Sequence, residues 1–236
     1  MAIDETMLIL RDENKIPNTL RLYVFNPSAV TFGYFQRIND AVNVEYLLEN
    51  NIGFTRRITG GGSVYHDRFG EITYSIVAPI DEIARDIQES YRIICQGIVY
   101  AIKEFGLDAV FKPVNDVIVN NKKISGSAQA RKKNALLQHG TLMYNTDLDI
   151  LAKCLKAPKK KLESHGVKSI RERVTTLSIE LGRRVTKNEV INAMIKGFKK
   201  ALGINELKLS TYTPQEIELA TRLKEKYMSK EWIYKR

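Results

Sequence analysis

Three glycines, Gly60-Gly61-Gly62, stand between two runs that read as β-strands, Phe54 to Thr59 and Ser63 to Asp67, and no other feature narrows the folds open to this chain so far. P-loops and dinucleotide fingerprints put their glycines at the start of a helix, whose first N–H groups receive the phosphate. A strand pattern follows here, so both are excluded. Two readings remain: a tight hairpin turn, or a loop whose successive N–H groups converge on an anion. Arg56 and Arg57, directly upstream, are planar and permanently charged, and they favour the second.

Around this segment the pattern alternates strands with helices. A helix is expected over residues 2 to 12. Leu20 to Phe25 and Ala29 to Phe35 are β-rich runs parted by Asn26-Pro27-Ser28, which predicts a hairpin. A short helix from Val44 to Asn50 precedes the glycine segment, and a strand from Glu71 to Ala78 follows it. One long helix is expected from about Ile83 to Phe105, ended by Gly106. Strands follow at Asp116 to Val119, Lys123 to Ala128 and Leu136 to Tyr144, with Asn120-Asn121 as the turn between the first two. Further helices are expected from Asp147 to Lys156, from Thr186 with Glu189 in capping-box register, and from Pro214 with Thr213 as its cap. Leu207 to Tyr212 reads as a last strand. Clustered strands with helices outside them give an α+β class, with mixed or antiparallel sheets flanked by helices.

Composition removes several functions. At 236 residues and 44% hydrophobic the chain can bury a full core. No stretch approaches the roughly 20 apolar residues of a membrane span, and the acidic start lacks a signal pattern, so a cytoplasmic protein is expected. Cys95 and Cys154 fall in helical patterns and read as small buried hydrophobes; with His66, His139 and His165 they form no metal-ligand spacing. The charge of +10 admits an anionic substrate or an acidic partner. The runs Arg131-Lys132-Lys133 and Lys159-Lys160-Lys161 lack interleaved aromatics, which leaves nucleic-acid binding unsupported.

A second constellation lies at Asn115 to Ala128. Strand alternation puts Lys123, Ser125 and Ser127 on one face and Ile124, Gly126 and Ala128 on the other. A lysine beside two hydroxyls is unusual for a core strand, and the small residues leave room for a ligand. Gln138-His139-Gly140-Thr141 suggests a bulge or a close approach in the next strand.

Together these pieces resemble the lipoate–protein ligase catalytic domain, including its archaeal two-component members. The arginine pair, glycine triplet and histidine-aspartate match at Arg56 to Asp67, the asparagine-aspartate at Asn115 and Asp116, the lysine strand at Lys122 to Ala128, and the histidine-glycine-threonine at His139 to Thr141. Gly33-Tyr34-Phe35-Gln36 and Ser169 to Val174 match as flanking pieces, so the likeness spans nearly the whole chain.

The resemblance implies a fold shared with biotin protein ligases and octanoyltransferases, and a ligase that activates lipoate with ATP to lipoyl-AMP before passing the acyl group to an acceptor lysine. It implies Lys123 as the catalytic cation between carboxylate and α-phosphate. Arg57 and the backbone of Gly61, Gly62, Ser63, Val64 and Tyr65 hold the phosphate and the lipoyl chain. Asn115 and Asp116 orient the nucleotide, with Asp116 a candidate for Mg2+. Ser125, Gly126, Ala128, Gly140 and Thr141 complete the binding wall, and His66 and His139 are either polar wall residues or structural hydrogen bonders. Implied partners are lipoyl acceptor domains, of a glycine cleavage H protein or a 2-oxoacid dehydrogenase acyltransferase component, and a separate small accessory subunit. Residues 1–236 are expected to be one catalytic domain, without the C-terminal accessory domain of longer relatives. The alternatives are an octanoyltransferase of the same fold, which needs a nucleophilic cysteine in its pocket, and a noncatalytic binding module.

Overall fold

The computed structural model of the chain describes residues 1–156 and 169–236; the Lys159–Lys161 run and His165 lie outside them. Helix α1 (Ala2–Asp12) buries Met7, Leu8 and Leu10 and leads into β1 (Thr19–Tyr23) and β2 (Ala29–Phe32). These two strands are not the expected hairpin. β1 pairs antiparallel with β5 in a large sheet, while β2 enters a small one. The turn at Asn26-Pro27-Ser28 is real, but Val30 and Phe32 bury completely against Leu47 and Leu151 in a second core, which a hairpin on β1 would leave open.

Next come α2 (Ile38–Ala41), α3 (Val44–Glu49), β3 (Gly53–Arg56), β4 (Val64–His66) and β5 (Glu71–Pro79). The small sheet has the order β3-β2-β4, with β2 parallel to β3 and antiparallel to β4. The strands flanking the glycines are therefore not neighbours, and the glycine segment crosses the end of β2 as an open loop. α4 (Ile80–Ile83) is a separate turn, and the expected long helix forms as α5 (Ile87–Lys103). It starts at Ile87 because the Asp86 side chain accepts the Glu89 N–H and caps it.

The chain continues through β6 (Ala109–Lys112), β7 (Asp116–Val119), β8 (Lys122–Arg131), β9 (Ala135–Met143) and α6 (Leu148–Cys154). It ends with α7 (Ile170–Arg173), α8 (Leu177–Leu181), α9 (Lys187–Leu202), α10 (Pro214–Met228) and α11 (Lys230–Ile233). The capping boxes Thr186/Glu189 and Thr213/Glu216 both form. Leu207 to Tyr212 is extended chain without a ladder partner, not a strand; Leu209, 98% exposed, has nothing to pack against.

The large sheet runs β1-β5-β9-β8-β7-β6 with every neighbour antiparallel. α5 and α9 cover one face over a core that includes Tyr74, Ile94, Ile98 and Phe198. α1 covers part of the other face along β9, and the small sheet faces the remainder. This is the α+β arrangement the pattern predicts. Among the described residues no helix is long and apolar enough to cross a membrane.

Candidate active site

A cavity of about 650 Å³ opens between the two sheets. Its floor comes from the large sheet: Glu71 and Thr73 on β5, His139 and Thr141 on β9, and Lys123, Gly126 and Ala128 on β8. Its roof comes from Thr31 on β2, the segment Gly62 to His66, and Arg57. Met143, Leu151, Leu155 and Ile170 give it an apolar flank, and Asn115, Asp116 and Arg173 stand at the other.

Lys123 reaches this cavity because of an irregularity that simple alternation misses. Val117 pairs with Ser125 but Ile118 pairs with Lys123, so Ile124 is an extra residue in β8. The bulge reverses the parity of the strand. Lys123 thereby shares the cavity side with Gly126 and Ala128, and its ammonium lies over Gly126, where a Cβ would collide with it. Ser127 turns its hydroxyl to the other face, 2.7 Å from the Tyr74 hydroxyl. Ser125 is fully buried and lines no part of the cavity, contrary to the expectation for it. At His139 to Thr141 there is no bulge, because β9 pairs without interruption along β5; the close approach is real, as a Gly140 Cβ would press on Ser127 Oγ and the Tyr74 ring at 2.7 Å.

The Lys123 ammonium pairs with Asp116 Oδ1 at 2.6 Å, and Asp116 Oδ2 lies 3.4 Å from Arg173 Nη2. Asn115 is held to the same strand, its side chain donating to the Ser127 carbonyl at 2.5 Å. Two cations thus share one carboxylate at the rim, a ready receptor for further negative charge. Arg173 belongs to the Ser169 to Val174 piece that marks the family resemblance, but its ion pair with Asp116 has no signal in spacing. Both Asp116 oxygens face cations, and the described residues contain no cluster of three metal-ligating side chains.

The arginine pair divides. Arg56 is fully buried and points away from the cavity, with Nη1 donating to the carbonyls of Tyr34 (2.8 Å) and Gln36 (2.7 Å) and Nε and Nη2 to those of Trp232 and Ile233. It ties the C-terminal helix to the fold and grips no anion. Arg57 does line the cavity. Its Nη2 donates to the carbonyls of Gly60 (2.9 Å) and Gly62 (2.8 Å), and it has no carboxylate partner among the described residues. Burial lowers its pKa to about 10, which leaves it charged at neutral pH. Gly33 and Gly61 touch closely: a Cβ on Gly33 would strike the Gly61 carbonyl, and Gly61 takes φ +89°. Gly61 supports the loop from behind and does not itself line the cavity.

Both cavity histidines are bonded at each ring nitrogen. His66 sits between Thr31 Oγ1 (2.9 Å) and Glu71 Oε1 (2.8 Å), and His139 between Thr59 Oγ1 (2.8 Å) and Asp4 Oδ2 (2.9 Å). Burial pushes His139 below its ordinary pKa against the pull of Asp4. Thr31, Thr59, Glu71 and Asp4 carry no motif, and sequence reasoning leaves them out. The cysteines behave as expected of buried hydrophobes. Cys95 and Cys154 are completely buried, neither lines the cavity, and burial raises both thiols to about 11.

Comparison with known proteins places the fold in a family. The family model for the lipoyl protein ligase A/B catalytic domain matches residues 1–199. Octanoyltransferase LipM of Brevibacillus brevis is 32% identical over 262 residues, covering 100% of this chain and 94% of that protein. Among solved structures, the bipartite lipoate protein ligase of Thermoplasma acidophilum, studied with its E2 lipoyl domain, superposes with a TM-score of 0.84 at 35% identity over 99% of this chain and 89% of that one. A lipoate-protein ligase A bound with ATP gives 0.83 at 34% identity, over 99% and 92%.

Proposed function

The chain belongs to the lipoyl protein ligase A/B catalytic-domain family, and from that premise we propose that it is the ATP-dependent member of the pair, a lipoate–protein ligase and not a thioester-forming octanoyltransferase. One observation carries the choice. An acyltransferase that works through a thioester needs a thiolate at its substrate, and the chain's two thiols are both buried outside the cavity with raised pKa values. What the cavity does offer is a cation cluster, Lys123 and Arg173, around Asp116.

That cluster suits the chemistry of an acyl-adenylate. Lipoate carboxylate and ATP are both anions, and their approach needs fixed positive charge. A carboxylate oxygen attacks the α-phosphorus, the bond from that phosphorus to the β-phosphate's bridging oxygen breaks, and pyrophosphate leaves. The amine of an acceptor lysine then attacks the acyl carbon, AMP departs, and the amine sheds its proton. Lys123 exchanges Asp116 for the shared carboxylate and phosphate oxygens in this reading. The glycine loop holds the acyl-phosphate, and the side of Val64, Met143, Leu151 and Leu155 takes the alkyl chain and dithiolane. Mg2+ enters with the triphosphate, since the described residues hold no cluster that fits a resident ion, and no step rests on it.

The acceptor we propose is a lipoyl domain, the class studied with the Thermoplasma acidophilum ligase. That relative is bipartite, and a separate accessory subunit is proposed here for efficient adenylation. The second reading, octanoyl transfer, has the Brevibacillus brevis relative in its favour. Lipoate-dependent exchange of pyrophosphate into ATP, with an accessory subunit supplied, separates the two: the ligase exchanges label, and an enzyme that uses only octanoyl thioesters does not.

A further inference from the structure

Arg57 occupies the centre of two chains of hydrogen bonds that have the same composition. Its Nη1 donates to Thr31 Oγ1 at 3.0 Å, Thr31 Oγ1 lies 2.9 Å from His66 Nε2, and His66 Nδ1 lies 2.8 Å from Glu71 Oε1. Its Nε donates to Thr59 Oγ1 at 3.2 Å, Thr59 Oγ1 lies 2.8 Å from His139 Nε2, and His139 Nδ1 lies 2.9 Å from Asp4 Oδ2. Each chain is buried from end to end.

One pattern of donors and acceptors satisfies both chains. A guanidinium only donates, so each threonine oxygen accepts from Arg57, and its own proton is free for the histidine Nε2. A carboxylate only accepts, and Glu71 Oε1 also receives the Thr73 hydroxyl at 2.7 Å while Asp4 receives Arg21 at 2.7 Å and Tyr23 at 3.0 Å. With the threonine protons on Nε2, both rings carry their own proton on Nδ1, facing the carboxylates. The same guanidinium draws in the carbonyls of Gly60 and Gly62 through Nη2. In a planar trans peptide the N–H opposes the carbonyl, so the Ser63 N–H is turned away from Arg57, and it has no acceptor among the described residues.

We propose that Arg57 is a positioning residue, locked beneath the glycine loop by two Arg–Thr–His–carboxylate relays, and that Asp4, which lines no part of the cavity, acts through the second relay to set the loop geometry that receives the acyl substrate. The identity of that substrate rests on the ligase reading; the relay does not. It also joins the parts of the fold that enclose the cavity, since Thr31 and His66 belong to the small sheet, Glu71 and His139 to the large one, and Asp4 to α1.

Long-range proton–nitrogen spectra of histidine-labelled protein, with rings assigned from His66→Gln and His139→Gln variants, test the pattern directly. Both rings are expected as the neutral Nδ1–H tautomer; an Nε2–H or doubly protonated ring at neutral pH overturns it. Thr59→Val and Asp4→Asn are each expected to raise KM for the acyl substrate about tenfold, to change kcat less, and to be no worse together than singly, because they cut one chain. Thr59→Ser restores the parental KM. Additive effects, or a Thr59→Val enzyme with parental KM, overturn the proposal. Should Asp4→Asn fail to fold, the Thr59→Val and Thr59→Ser pair decides. If acyl transfer proves to run from a thioester without ATP, the ligase reading fails while the relay is still judged, on the tautomers and on KM for that donor.

Discussion

Among single residues, Lys123 carries most of the proposed chemistry. Its ammonium is the one placed over Gly126 with a direct ion pair to Asp116, so Lys123→Ala is expected to lower the adenylation rate by roughly 10²- to 10³-fold. Lys123→Arg should not restore it, since a guanidinium fork cannot sit as a point charge above the glycine. Pyrophosphate exchange and single-turnover transfer from supplied lipoyl-AMP both read this out. Gly33→Ala, well away from the reacting atoms, drives a Cβ into the Gly61 carbonyl and should raise KM for the acyl substrate by displacing the loop. Residue type and order were enough to single out Lys123, Asp116, Arg57 and the glycines. The resemblance named Arg57 of the pair, and the structure supplies the reason: alternation sends Arg56 and Arg57 opposite ways, and Arg56 turns from the cavity to the carbonyls of Tyr34, Gln36, Trp232 and Ile233. Ser125 was misplaced because one unannounced residue in β8 reverses every face beyond it.

Among the elements, local signals were reliable, the Asn120-Asn121 hairpin between β7 and β8 included, and long-range pairings were not. Thr186, Thr213 and Pro214 announce their helices through capping chemistry confined to a few residues, and those helices start where expected. Whether β1 pairs with β2 depends on cores formed by residues far along the chain, and Leu207 to Tyr212 has strand composition without a neighbour to complete it. The contact between α5 and α9 is equally nonlocal. A Cβ on Gly197 would run into the Gly97 carbonyl and lie 2.7 Å from the Ala101 nitrogen, so these helices meet backbone to backbone. Gly197→Ala is therefore expected to cost on the order of 2 kcal/mol of stability, read by denaturant unfolding. Activity per folded molecule should not change, because neither helix contributes a residue to the cavity lining.

For the whole molecule, the buried pair Asp4 and His139 also ties stability to pH. His139 has its folded pKa pushed below the ordinary 6.5 by burial, so the unfolded chain takes up that proton first and stability falls as pH drops below about that value. Burial alone would raise Asp4, but the His139 hydrogen bond and the Arg21 charge outweigh it and hold the carboxyl far below the usual range. Its contribution is present above the ordinary carboxylate pKa of 3.8 and is lost as pH falls below it. The thermal midpoint should decline in two stages on acidification, and His139→Gln should flatten the first. The charge of +10 suits an anionic substrate and an acidic acceptor, so association should weaken with added salt. The central claim is that this fold, with no thiol in its cavity, makes an acyl-adenylate. Its most direct test follows the mass of a lipoyl acceptor domain incubated with the protein, an accessory subunit, Mg2+ and lipoate, with and without ATP. The account requires lipoylation only with ATP, one AMP released per acyl group transferred. Acylation of the domain from an octanoyl thioester in the absence of ATP would contradict it.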